Sequence, residues 1–355
     1  MSATRIVGGG RLRAYTQFLA AVLYFFVAQA LAQRGAAGLA TEQWTPLVEQ
    51  AMLLFLLIVG YAGMGYVVDR DPQPVKSQGL GFRGGWPAEA GVGIAIGWSL
   101  ALVCVLALVV AGGIAIVLVL EAKAWGWLVA DAAFFALAAM AEEVAFRGYG
   151  FQRFAHAVGP LGAMLGYAAF FAIVQGLVPG ASRAGVAVSV ALSLVLSTAY
   201  LRTRALWFSW GVNFGWKASR ALVFGLAVGG VNNHSPVVQG NPMGPFWLTG
   251  GGYGLDGSWV AFGVLLLGIP VVYRLTRELD YRYNAPEIVP GGIPVDLDAA
   301  QKRQHEAAMG AAVPVVPSTP QLVQILPAIS PPVAAVVADS TGDTEQSPQQ
   351  HSETL

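Results

Sequence analysis

Long apolar runs, each close to the length of a membrane-crossing helix, follow one another along the first 275 residues, with short polar clusters between them. A spanning helix needs about 20 mostly apolar residues. Eight stretches qualify: residues 15–33, 46–68, 89–111, 127–146, 159–178, 185–201, 205–228 and 258–275. The pattern predicts an all-α protein, a polytopic transmembrane helical bundle of about eight spans. The third stretch belongs to a longer apolar segment, Ala88 to Leu120, in which Gly112-Gly113 and the pair Trp125 and Trp127 predict a helix end and a path along the membrane interface. Within it, Gly93-x-x-x-Gly97 is a small-residue spacing that suits close helix packing.

Composition agrees with this pattern. The chain is 55% hydrophobic and 11% charged, with a mean hydropathy of +0.59, against about 25% charged in an ordinary soluble domain. Most of its surface is therefore solvated by lipid. Basic and acidic residues balance at 20 each, which gives no phosphate-neutralising surface and argues against nucleic acid as a partner. Cys104 is the only cysteine, which excludes an intramolecular disulfide and a cysteine-cluster metal site. It reads as a small buried hydrophobe.

Lysine and arginine positions orient the bundle, because cytoplasmic connections are enriched in them. With the N-terminus inside, fifteen basic residues fall on the cytoplasmic side, including Arg70, Lys76, Arg83, Arg153, Arg202 and Arg204. Three fall outside, namely Arg34, Lys123 and Arg183, and the connection from Gly229 to Ser258 has none. Both termini are thus expected in the cytoplasm, with an even number of spans. Ala30-Leu31-Ala32 resembles a signal cleavage site, but the apolar run before it is long for a signal peptide, and its removal would upset the charge alternation. The sequence divides into residues 1–84, two N-terminal transmembrane helices with a connecting segment; 85–275, a transmembrane core; and 276–355, a tail. The last 80 residues hold 10 of the 20 prolines and 14 of the 40 charges, and from Pro286 onward a disordered cytoplasmic tail is expected.

Ionisable groups inside the spans carry the chemical information, since each costs about 2.5–3.5 kcal/mol near a helix centre. They are Asp131, Glu142, Glu143, Lys217 and Arg220. Asp131, near the start of the fourth span, reads as an interfacial residue with access to water. Arg220 reads as snorkelling to the interface or held in a structural pair. Trp207, Trp210 and Trp216 read as interfacial anchors and packing. At the end of the fourth span, Glu143 and Arg147 stand one helical turn apart and can pair, while Glu142 points about 100° away. Two readings stand side by side. The segment is a helix end with a dipole-matched arginine and a solvated carboxylate, or the doublet is organised for hydrolysis, which needs a carboxylate base in a partly dry site.

The segment Glu142-Glu143-Val144-Ala145-Phe146-Arg147-Gly148 resembles the E-E-x-x-x-R motif of the CAAX prenyl endopeptidase family, also called CPBP intramembrane metalloproteases. Phe171-Ala172-Ile173-Val174-Gln175 stands where that family has Phe-x-x-x-His. Leu206-Trp207, followed by Asn213-Phe214-Gly215-Trp216-Lys217, stands where it has a Leu-Trp pair and then His-x-x-x-Asn or His-x-x-x-Asp. The resemblance spans roughly residues 85 to 275, and the flanking Leu222-Val223-Phe224-Gly225-Leu226 and Trp247-Leu248-Thr249-Gly250-Gly251 look like bacterial members. It implies an integral protein of a bacterial inner membrane, with a cavity opening toward the cytoplasm between the fourth, fifth and seventh spans. By motif position it implies Glu142 as the base that activates water, Glu143 and Arg147 as its supporting pair, Gln175 at the second motif, and Asn213 and Lys217 at the third, where the oxyanion is stabilised.

Both family histidines are absent. Gln175 can orient a water but cannot take its proton at neutral pH. Asn213 and Lys217, on one face, can stabilise an oxyanion, and Lys217 is expected to pair with Glu142. The four histidines, His156, His234, His305 and His351, fall in connections or the tail, so no tightly bound metal or other cofactor is expected although the family is nominally metal-dependent. Two functions follow: an endopeptidase acting on a membrane-bound protein or peptide, or an inactive relative that binds such a peptide, a lipidated segment or a partner in the same cavity. A transporter ranks last, since no pair of broken helices stands in matching halves.

Overall fold

The computed structural model describes residues 3–176, 182–234 and 236–276, with side chains from residue 10 onward. The expected C-terminal tail lies outside the described residues. As the hydropathy pattern predicts, the described chain is a helical bundle: α1 (Ala3–Leu39), α2 (Thr45–Asp69), α3 (Trp86–Ala111), α4 (Ala122–Arg147), α5 (Tyr149–Val158), α6 (Pro160–Gly176), α7 (Arg183–Thr203), α8 (Leu206–Ala218), α9 (Phe246–Thr249) and α10 (Trp259–Leu275). Among the described residues, six helical stretches are long and apolar enough to cross a membrane, where eight were expected. The two that fall short are the fifth and seventh predicted spans. The fifth is α6, an apolar helix of 17 residues. The seventh is α8, of 13 residues, continued by a π-helical turn, Ser219–Val223. Hydropathy alone could not distinguish α8 from a span, because α8 is apolar for burial inside the bundle and not for contact with lipid.

The helix end expected at Gly112-Gly113 is found, and the segment after it is extended. The helix stops at Ala111, Gly113 takes φ 93°, and Ile114–Leu118 form a strand, β1. This β-branched run pairs antiparallel with β2 (Val238–Pro242), in register from Ile114 opposite Pro242 to Leu118 opposite Val238. The two strands lie at the same end of the bundle as the α1–α2 turn, where the rings of Trp44 and Trp127 approach to 5.0 Å. The opposite end is tied by Asp69, which accepts from Gln17 (2.7 Å) and Arg153 (3.3 Å), and by Gln152, which donates to the Ser77 carbonyl (2.8 Å).

One apolar core joins α1, α2, α4, α5 and α6 through residues such as Leu57, Tyr61, Val144 and Phe151. A second joins α3, α7, α8 and α10 through Leu108, Val195, Val212 and Leu265. Close packing of α3 on α8 sets the position of the site. A Cβ at Gly93 would overlap the Phe208 carbonyl oxygen and one at Gly97 that of Val212, while Gly211 and Gly215 meet the Ala90 and Ile94 carbonyls in the same way. The spacing Gly93-x-x-x-Gly97 is thus half of a backbone-to-backbone contact whose other half is Gly211-x-x-x-Gly215. Two indole N–H groups fix α8 from its other side: Trp207 donates to the Gly81 carbonyl (3.0 Å) and Trp210 to that of Ala136 on α4 (2.9 Å). Trp216, fully buried, packs in the core.

Candidate active site

The last turns of α4 read Ala138-Ala139-Met140-Ala141-Glu142-Glu143, and the small residues let α8 approach. Since successive helical residues point about 100° apart, the two glutamates meet different surroundings. Glu143 turns inward, is fully buried, and accepts from Arg147 (3.2 Å) and from the Asn213 amide on α8 (3.1 Å). Arg147, also buried, donates to the Ser193 carbonyl on α7 (3.4 Å) and lies 5.7 Å from the centre of the Phe171 ring. Glu142 turns outward. Its side chain, 38% exposed, accepts from Asn213 Nδ2 (3.0 Å) and pairs with the ammonium of Lys217, itself 17% exposed. Asn213 and Lys217 lie one turn apart on α8, so both reach the same carboxylate.

The amide of Asn213 has its orientation dictated by this geometry. Two carboxylates offer acceptors only, so Nδ2 faces both and Oδ1 faces away. Asn213 Oδ1, Glu143 Oε2, Arg147 Nε and Ser193 Oγ are buried without a protein partner among the described residues.

Five of the six sequence-derived positions, Glu142, Glu143, Arg147, Asn213 and Lys217, therefore form one connected network. The sixth does not join it. Gln175, at the end of α6, donates through Nε2 to the Tyr253 hydroxyl at 2.5 Å. It does line the same cavity, of about 420 Å³, as Glu142, Arg147 and Lys217. That cavity lies between α4, α6, α7 and α8, and its further walls are Val228, Gly229, His234, Tyr253 and Asp256. These belong to the connection after α8. The cavity thus runs from the Glu142 end of α4 toward the end of the bundle that carries the connection after α8.

Two further polar pairs border the cavity. Arg220, fully buried, donates to Asp256 (2.7 Å) and to the Trp216 carbonyl (2.9 Å), so the structural pair forms and the side chain does not snorkel. Asp131, read as an interfacial residue with access to water, meets His234 Nδ1 at 2.7 Å. The imidazole stacks on Phe134, 4.4 Å between centres and 12° between planes. The spacing of Asp131 and Glu142 carried a signal, since eleven residues are close to three full turns and place both on one face of α4. A lone histidine in a long connection carried none.

The donor set does not fit a metal. The accessible carboxylate of Glu142 is matched to a lysine cation, Gln175 and Asn213 offer amides, and no group of three His, Cys, Asp or Glu side chains converges among the described residues.

Residues 124–219 match the family described as type II CAAX prenyl endopeptidase Rce1-like. No curated protein and no solved structure matches the chain. The matched segment runs from the start of α4 to the end of α8 and includes all six motif positions, so the family match supports the resemblance carried by Glu142-Glu143 and Arg147 over this part of the chain.

Proposed function

We propose that the protein is an intramembrane endopeptidase that hydrolyses a peptide bond of a membrane-associated protein or peptide with a water activated by Glu142. The observation that carries this reading is the partly exposed Glu142 carboxylate in the cavity wall, held between Lys217 and Asn213 with the buried Glu143–Arg147 pair behind it. In the proposed reaction Glu142 takes a proton from water as the water oxygen bonds to the carbonyl carbon. The ammonium of Lys217 commits one N–H to Glu142 and has two more for the oxyanion. Asn213 spends both amide hydrogens on the two glutamates, so oxyanion stabilisation falls to Lys217. Collapse of the tetrahedral intermediate breaks the C–N bond, and Glu142 returns its proton to the leaving nitrogen. The products are a carboxylate and an amine. Glu143 and Arg147 act as positioning residues, and no step runs through a metal.

A second reading, a non-catalytic relative that binds a membrane peptide, lipidated segment or partner protein, is favoured by two observations. Both Glu142 oxygens already accept, and Gln175 is turned to Tyr253. The test compares the purified protein with Glu142→Ala in nanodiscs, following a prenylated reporter and a pool of membrane peptides by mass spectrometry, with and without chelator. Cleavage lost in Glu142→Ala and indifferent to chelator supports the glutamate endopeptidase. Absence of cleavage by either protein rejects it in favour of binding. On either reading we place the protein in the bacterial inner membrane with both termini cytoplasmic.

A further inference from the structure

The connection between α8 and α10, residues 224–258, is rooted at one edge and clasped at the other. Its root is firm: β2 pairs along its whole length with β1, and Asp256 accepts from Arg220 (2.7 Å); the Gly229 amide, which also donates to Asp256 (2.8 Å), hinges the tip on this root. Its tip is a tight turn in which Val228 and Val231 exchange backbone hydrogen bonds of 3.0 and 3.1 Å around Gly229-Gly230. Those glycines have φ of 58° and 81°, the positive values that a two-residue hairpin turn requires at both central positions. The tip and His234 form one wall of the cavity.

Across the cavity, only two side-chain hydrogen bonds among the described residues tie this connection to α4 and α6: His234 to Asp131 (2.7 Å) and Gln175 to Tyr253 (2.5 Å). Neither is needed for the root. Both can break while the strand pairing and the Arg220–Asp256 pair remain, because neither clasp shares a residue with those contacts. We propose that residues 228–234 together with Tyr253 are a cover over the cavity, held shut by these two clasps, and that water and polar ligands reach Glu142 and Lys217 from this end of the bundle when the clasps open. Gln175 then serves as a latch. The inference holds whether or not Glu142 hydrolyses anything.

Cys104 makes a direct test possible, since the only native thiol is fully buried and reports unfolding. Ser189, half-buried on α7, lines the cavity. Ser189→Cys in nanodiscs is treated with a water-soluble maleimide, and the labelled peptides are resolved by mass spectrometry. The parent should react slowly relative to Ser77→Cys, an exposed position at the other end of the bundle. Adding Tyr253→Phe or Asp131→Ala should raise the Ser189→Cys rate by roughly fivefold or more each, the effect of losing one hydrogen bond, and the two together should multiply, with Cys104 unlabelled throughout. A parent that reacts as fast as Ser77→Cys, or a rate unchanged when both clasps are removed, overturns the proposal. If Asp131→Ala exposes Cys104 by unfolding, the isosteric Tyr253→Phe decides alone: a raised rate supports the cover, an unchanged one refutes it.

Discussion

Replacing Lys217 by alanine leaves the Glu142 carboxylate facing the cavity with Asn213 as its remaining donor and the Glu143 charge on the adjacent residue. Breaking a fully buried pair costs about 3–5 kcal/mol, and a fully exposed one contributes about 0.2–1 kcal/mol. Side-chain exposures of 17% for Lys217 and 38% for Glu142 place this pair between those limits, and the surviving Asn213 bond lowers the cost further. We expect Lys217→Ala to destabilise by about 2 kcal/mol. Glu142→Gln removes the charge that Lys217→Ala strands, so the double variant should be more stable than Lys217→Ala alone, with a coupling of about 1–2 kcal/mol. The assay is reversible unfolding in bicelles followed by circular dichroism on the two single variants, the double variant and the parent. In a thermal scan the Lys217→Ala midpoint should fall by several degrees and recover in part in the double variant, at about 2–4 °C per kcal/mol. Additivity within about 0.5 kcal/mol would refute the reasoning, because it would mean that the two groups do not sense each other's charge.

Arg147→Ala should be more damaging, by about 3–5 kcal/mol, because it strands the fully buried Glu143; the amount of folded protein recovered from membranes measures it, and Arg147→Lys should recover part of the loss. Gly215→Ala should push α8 away from α3, because its Cβ overlaps the Ile94 carbonyl, costing about 1–3 kcal/mol and lowering any activity of the site by displacing Lys217; Gly126→Ala, where nothing lies within 4 Å, is the control. Ser258→Ala should cost about 1 kcal/mol by uncapping α10, where the hydroxyl accepts from Val260 (3.1 Å) and Ala261 (3.4 Å), and a thermal scan in detergent reads it. Chelator should leave the unfolding midpoint unchanged, since the donors around Glu142 suit a cation of lysine type and not a metal.

Much of the site was legible in the sequence because it rests on local geometry. The Glu143–Arg147 pair follows from one-turn spacing, and the shared face of Asn213 and Lys217 follows from the same rule on α8, so that once the two helices meet, Glu142 finds both. What could not be read was which contacts the long connection makes. The partners of Asp131, Gln175 and Arg220 are His234, Tyr253 and Asp256, all drawn from the segment between α8 and α10. No periodicity links that segment to the helices, so none of these three partners could be assigned. The small-residue spacing at Gly93 and Gly97 was visible, but its counterpart at Gly211 and Gly215 was hidden among the aromatics of α8. Hydropathy overestimated the spans for a related reason, since it cannot separate a helix buried by protein from one solvated by lipid.

Two of the three departures from the family's motifs, Asn213 and Lys217, form one arrangement around Glu142, and the third, Gln175, is bonded to Tyr253, which decides how the family's chemistry could be restored. A histidine at position 213 would have to share Glu142 with the Lys217 ammonium and would lose the amide that now bonds both glutamates. A histidine at position 175 would lose the amide that now bonds Tyr253. Restoring the two histidines alone, as Gln175→His with Asn213→His, therefore leaves both imidazoles in surroundings built for other side chains. Adding Lys217→Asn removes the competing cation and recreates the third motif. Adding Tyr253→Phe frees position 175 from its hydroxyl partner. We expect the double variant to gain little cleavage of a prenylated reporter over the parent and the quadruple variant to gain clearly more, with chelator sensitivity distinguishing whether the new imidazoles also recruit a metal. Equal activity of the double and quadruple variants would show that Lys217 and Tyr253 do not constrain these positions, and the arrangement inferred from their contacts would then fail.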